Sequence, residues 1–265
     1  MKLSCSVTAC PDLLLPDALA FVGKAGYHGI ELFRAKTESN PGIQHASVMT
    51  VRQWIADSGI VLTGLNIRDL TGRKADTNER NLRYNLHQLE WDMHLAHALR
   101  LGCVNIQGGL HTAEARDDLI EGLNQLVERR TDMTINLASR RGTCLETLAD
   151  YRSVLPQVGE QVKVLLDTGN LIAAGEDAIR CAEALAGRIG LVRLRDHDGE
   201  RHVAFGEGRL AFNDLFKQLR DVEYDGGVVV ELQQVRSEMQ FDAAVDARQY
   251  VEDALHGSPD RAPTR

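Results

Sequence analysis

Apolar and polar positions alternate along the chain in two rhythms. Short runs rich in Val, Ile and Leu recur at residues 3–9, 29–33, 61–67, 103–107, 143–147, 162–167, 191–194 and 227–232. Between most of them lie stretches whose apolar residues return near the helical period, at 15–24, 51–58, 79–100, 115–132, 176–186, 212–220 and 242–255. Runs of the first kind predict buried strands and those of the second amphipathic helices. A strand followed by a helix, repeated along the chain, predicts parallel strands, and eight such strands within residues 1–256 predict a single α/β domain, a (β/α)8 TIM barrel. Gly26, Gly59, Gly102 and Gly226 follow the helical stretches, where a left-handed C-cap residue is wanted. The pattern is least regular at 134–141, between a helix end and the fifth predicted strand. The polar, proline-bearing stretch 257–265 is expected to be a disordered tail. A doubly wound sheet is the alternative fold, but the turn after the first run, Thr8-Ala-Cys-Pro-Asp-Leu13, lacks the glycines of a dinucleotide-binding turn.

Composition narrows the partners. The 265 residues are 43% hydrophobic, enough for a large core, and no Pro/Ser-rich linker divides them. A net charge of −8 with scattered Lys and Arg offers no basic face for a phosphate backbone, so nucleic acid is not an expected partner. Cys5, Cys10, Cys103, Cys144 and Cys181 are odd in number, show no C-x-x-C spacing and mostly fall in apolar runs, as buried thiols of a reducing cytoplasm would. Neither a signal-like start nor an apolar run of membrane-spanning length is present, so a cytoplasmic location without membrane association is expected. A small-molecule substrate is the expected partner, with a homodimer left open.

Acidic residues fall at or just past the ends of four predicted strands: Glu146, Asp167, Asp196 and Glu231. Parallel strands present their C-terminal ends on one face, so these carboxylates are expected to converge. Gathered carboxylates repel unless a cation or a proton joins them, which points to metal binding or acid–base work. The bland alternative for each alone is a helix N-cap or a salt bridge.

The chain resembles the sugar phosphate isomerase/epimerase family of xylose isomerase-like TIM barrels over essentially residues 1–255. Gly26-Tyr-His-Gly-Ile-Glu-Leu32 resembles its second strand, Leu166-Asp-Thr-Gly-Asn170 its sixth and Tyr224-Asp-Gly-Gly-Val-Val-Val-Glu231 its eighth. Gly206-Glu-Gly-Arg-Leu-Ala-Phe212 resembles the loop before the last helix–strand unit. The resemblance implies a divalent cation held by a glutamate, an aspartate, a histidine and a second glutamate. By motif these carry over to Glu146, Asp167 and Glu231, with Asp196 or His197 as further donors, and oxygen ligands favour Mn2+ or Mg2+. In the seventh strand the histidine position reads Val192-Arg-Leu-Arg-Asp196, so Arg193 stands there, and a guanidinium has no lone pair for a metal. The histidine expected after the sixth strand is Asn170.

With metal retained, the resemblance implies isomerisation or epimerisation of a polyhydroxylated carbonyl compound through an enediolate, Glu146 and Glu231 moving the proton. Elimination from the same intermediate, in a dehydratase, is an alternative. A non-catalytic sugar-binding or partner subunit with the metal site closed by Arg193 is another. The many-histidine zinc cluster of endonuclease IV-type repair enzymes, which share the fold, is missing. Further substrate contacts are expected from Glu31, His111, Asn170, Arg193 and Arg68. Arg68 sits with Arg73 and Lys74 in one of two long loops, 34–50 and 68–78, and such a group suits a phosphate or carboxylate or is simply a solvated cluster. His45 is placed on the same face. His87, Glu90, His94 and His97 share one helix face and mimic a metal site, but outer helices are remote from the catalytic end.

Overall fold

The computed structural model describes residues 1–257 except 35, 36, 43, 72–80 and 234. Among these, eight parallel strands close into a barrel in which each strand neighbours the next and the last pairs with the first: β1 (Leu3–Ser6), β2 (Gly29–Phe33), β3 (Val61–Asn66), β4 (Cys103–Gln107), β5 (Thr134–Ala138), β6 (Val162–Asp167), β7 (Ile189–Leu194) and, after a short hairpin of β8 (Asp196–His197) and β9 (His202–Val203), β10 (Gly227–Val230). Helices run between the barrel strands: α1 (Leu15–Lys24), α2 (Val48–Ser58), α3 (Leu82–Ala98), α4 (Ala113–Arg129), α5 (Leu148–Val154), α6 (Thr168–Ala173), α7 (Ala178–Ala184) and α8 (Phe212–Asp221). α9 (Gln240–Leu255) follows the last strand. The main core lies between strands and helices, where outward residues such as Ile30, Val104, Ile135 and Val192 meet the apolar stripes of the helices.

The fifth strand departs from the expectation. It is Thr134–Ala138, and 143–147 is loop leading into α5. Cys144 and Leu145 are fully buried and Thr143 makes a single antiparallel bridge to Leu110, which gives that loop the apolar signature of a strand. The real strand is masked by Asn136, a polar residue that points into the barrel. β1 is also shorter than expected, giving way at Val7 to a 3-10 turn. Gly26 and Gly59 take the left-handed conformation, whereas beyond α3 and α8 it falls to Arg100 and Glu223 instead of Gly102 and Gly226. Arg73, Lys74 and the tail beyond Gly257 lie outside the described residues.

Inside the barrel, Ala138, Leu165, Leu191 and Val229 form a small apolar layer. Two residues further along their strands the same face carries Asp167, Arg193 and Glu231, so the barrel turns polar towards its C-terminal end. A hydrogen-bonded chain crosses this polar layer: Asn136 donates to Asn105 (3.0 Å) and Asn105 donates to Glu31 Oε1 (2.8 Å). Gly190 in β7 makes room for it, since a Cβ there would run into Asn136 Oδ1 and the Lys163 side chain. Gly190→Ala is therefore expected to lower stability by about 1–3 kcal/mol through overpacking. An unchanged urea midpoint would refute this account.

Candidate active site at the C-terminal end of the barrel

Strand alternation builds the centre of the site. Arg193 on β7 is in register with Asp167 on β6 and Val229 on β10, and Arg195, two residues on, returns to the same face. Arg193 is only 3% exposed. Its Nη2 donates to Glu31 Oε1 (2.7 Å) and to Asn66 Oδ1 (2.6 Å), its Nη1 to Asp167 Oδ2 (3.4 Å), and its Nε lies 3.1 Å from Glu231 Oε2. The ring of Phe33 lies beside the same guanidinium, 5.9 Å from Cζ to the centroid. Arg195 clamps Asp167 through Nη2, 2.6 Å from each oxygen, and through Nε at 3.0 Å from Oδ1. Its Nη1 lies 3.3 Å from His202 Nε2 and 3.8 Å from Glu231 Oε1. Two buried guanidinium groups thus sit among three buried carboxylates.

The charges respond accordingly. Burial works against ionisation of Asp167, yet the two arginines outweigh it and hold the carboxyl below its usual range. Burial pushes the Glu31 carboxyl up, and Arg193 only partly offsets it; Glu31 Oε2 has no hydrogen-bond partner among the described residues. Burial also opposes the charge on Arg193, but Glu31, Glu231 and Asp167 raise its pKa above the ordinary value. Burial first, then Arg195, holds His202 below the usual imidazole value, as suits a ring nitrogen facing a guanidinium.

The remaining site residues are dispersed. Glu146 follows β5 by eight residues, outside the cluster: its Oε2 accepts from the Gly142 amide (3.0 Å) and lies 3.5 Å from His111 Nδ1. The end of β5 instead carries Ala138 and Ser139. Asp196 accepts backbone N–H groups from His197, Gly206, Gly208 and Leu210, so it pins the 206–210 loop from beneath. Gly208 is required there, because a Cβ would collide with the Asp196 carboxylate. His197 Nδ1 accepts from Gly199 N–H (2.9 Å). Asn170 is tied to Ser139 O (2.6 Å) and donates its amide to the α6 cap, Asp167. His45 is exposed. On α3, Glu90 pairs with Arg129 and His87, His94 with Arg130, and His97 with Asp132. Asn66, Asn105, Arg195 and His202 were not singled out from the sequence, although the period of two in Val192-Arg-Leu-Arg195 already places both arginines on one face.

A divalent cation does not fit this donor set. A metal at the strand ends needs open lone pairs, and here Asp167 is covered by two guanidinium groups, Glu31 and Glu231 by one or both, and β5 supplies no carboxylate. Among the described residues no group of three His, Cys, Asp or Glu side chains is placed to hold a metal ion.

Beside this cluster, over the ends of β2, β3 and β4, opens a cavity of about 490 Å3. Phe33, Asn66 and Asn105 line it and also contact Arg193 or Glu31, so the ion cluster lies against its floor. Arg34, Arg68, Asp69 and Arg140 supply its charges, and Thr71, Tyr84, Asn85, Gln88 and Gln107 are among its polar lining.

Removing one partner of a buried ion cluster strands the others. Arg193→Met is therefore expected to lower stability by about 3–5 kcal/mol at pH 7. Without the guanidinium the Glu31 carboxyl, already pushed up by burial, holds its proton more tightly than in the unfolded chain. The deficit therefore shrinks as pH falls from 7 towards the ordinary carboxylate pKa of about 4. Urea unfolding across that range checks both size and sign, and a pH-independent deficit would contradict the assignment.

The profile of the family described as xylose isomerase-like TIM barrel matches residues 19–255. Inosose dehydratase of Clostridium perfringens is 28% identical over 160 residues, 51% of this chain and 53% of the relative, so the chain spans about half the length of the dehydratases it matches. D-psicose 3-epimerase of Agrobacterium fabrum is 25% identical over 238 residues, 80% of this chain and 78% of that enzyme. The crystal structure of IolI protein with a bound zinc atom superposes with a TM-score of 0.83 at 16% identity, over 98% of this chain and 100% of that one. The relatives are enzymes of both kinds, epimerases and dehydratases. A closed eight-stranded barrel and a profile match over most of the sequence place this chain in the xylose isomerase-like TIM barrel family.

Proposed function

We propose that this chain is a metal-independent member of its family, binding a polyhydroxylated small molecule in the cavity over β2–β4. The observation that carries this is the Arg193 guanidinium, in contact with Glu31, Asp167 and Glu231, the carboxylates that would otherwise face a cation. The cavity has the volume of a small-ligand site, and its amide side chains suit hydroxyl groups. Asn66 and Asn105 link its wall to the ion cluster, so bound hydroxyls meet donors and acceptors whose orientation the buried charges fix. Of the activities the resemblance implies, metal-assisted enediolate chemistry is the one these residues do not support, and a sugar-binding role closed to metal by Arg193 is the one they support best.

A second reading is favoured by the pairing of His111 with Glu146. Such a pair can relay a proton without a metal, so isomerisation, epimerisation or dehydration at the rim is retained as an alternative with Glu146 as base.

One measurement tests the premise the two readings share, and a second separates them. Protein incubated with Mn2+ or Zn2+, desalted and examined by plasma mass spectrometry is expected to retain far less than one metal per chain. Stoichiometric metal that disappears in Glu231→Gln would overturn the metal-independent reading. For the second reading, NMR in D2O is expected to show deuterium entering a ketose beside its carbonyl, with the exchange lost in Glu146→Gln. If wild type shows no exchange, that reading fails and binding alone remains.

A further inference from the structure

The charges around the mouth cavity are arranged in a way that the metal question does not explain. Asp92 on α3 is 1% exposed and accepts one hydrogen bond on each oxygen, from Arg34 Nε (2.9 Å) and from Arg68 Nε (2.9 Å). One buried carboxylate therefore fixes two arginines that arrive from the ends of β2 and β3. Arg68 Nη1 is further held by Gln88 Oε1 (3.2 Å), and Arg34 Nη1 reaches Asn40 Oδ1 (3.4 Å). Among the described residues neither Nη2 has a hydrogen-bond partner, and both arginines line the cavity. Arg140 comes from beyond β5 and is matched by Asp69 at 3.1 Å.

From this juxtaposition we infer that the cavity is a site for a carboxylate-bearing polyhydroxylated ligand, a sugar acid in chemical class, held by Arg34 and Arg68 with Asp92 as their positioning residue. The inference rests on the reading of this cavity as the ligand site and adds the ligand's charge. Among the described residues at the cavity mouth, three guanidinium groups stand against the two carboxylates of Asp92 and Asp69, an excess of one positive charge. A carboxylate supplies one negative charge, whereas a phosphate monoester brings about 1.5 to 2 at neutral pH and overshoots. Guanidinium groups fixed through Nε and Nη1 keep their Nη2 N–H groups for an incoming anion, one donor from each arginine for the two oxygens of a carboxylate. Ordering these side chains in advance also reduces the entropy lost on binding, so the preference for an acid over a neutral polyol is built in before the ligand arrives.

The test is calorimetric titration of the full chain with D-gluconate, with its neutral counterpart D-glucitol and with D-glucose 6-phosphate. D-Gluconate is expected to bind at least tenfold more tightly than D-glucitol, and more tightly than the phosphate ester. Arg68→Gln changes a half-exposed residue, so the fold is expected to survive, and it should weaken D-gluconate binding by a larger factor than D-glucitol binding, so that the preference for the acid falls. Asp92→Asn should lose the same preference and Asp92→Glu should recover part of it, a rescue that a purely structural role would not give. Equal binding of acid and polyol, or a preference untouched by Arg68→Gln, would overturn the inference and leave the cavity reading standing. Tighter binding of the phosphate ester through the same arginines would replace the carboxylate by a phosphate and so overturn it as stated. Absence of binding by all three would remove both the inference and the cavity reading beneath it.

Discussion

Burying a guanidinium is tolerable only where carboxylates surround it, and that condition organises the C-terminal end of this barrel. Arg193 meets Glu31 from β2, Asp167 from β6 and Glu231 beyond β10, while Asn66 from β3 takes its remaining reach. Attraction among desolvated charges is strong, but so is the desolvation each charge suffers, and the balance holds only with every partner in place. The barrel supplies that precision because strand register fixes which side chains are neighbours. The same contacts turn the carboxylate lone pairs towards nitrogen.

The ion cluster and the mouth cavity divide labour between two depths. The deeper layer is buried and its charges face one another, whereas the shallower one carries partly exposed arginines and amides in reach of a solute. Asn66 and Asn105 belong to both, so the floor of the cavity is as rigid as the network beneath it. In the relatives that share this fold, family membership alone does not settle which reaction is run, and the same holds here: the chemistry has to be argued from the side chains at the strand ends.

Most of the barrel was legible in the sequence because outward-facing strand residues are apolar without interruption. Seven of its eight strands coincide with, or overlap, the apolar runs. The fifth was missed because a barrel strand is read from both faces: Asn136, directed inward to Asn105, broke the run that Ile135 and Leu137 began, while Cys144 and Leu145 imitated a strand from within a loop. The error carried Glu146 into the expected site and hid the absence of any carboxylate at the end of β5. Arg193 was visible as a departure, and Glu31, Asp167 and Glu231 were all named beforehand. Their mutual contacts were not visible, since they depend on register between strands that place residues from 26 to 162 positions apart side by side. Asp92 gave no signal, because its two partners come from separate loops and nothing in the helix marks it.

The lack of a carboxylate on the fifth strand constrains how such a sequence can change. Placing a histidine at position 193 would leave Asp167 and Glu231 facing Arg195 alone and Glu31 without its guanidinium, with Ala138 and Ser139 still offering no ligand. Each single step towards a metal site therefore passes through a chain with uncompensated buried charge, and only several coupled replacements would reach a stable destination. The ion cluster therefore resists replacement one residue at a time.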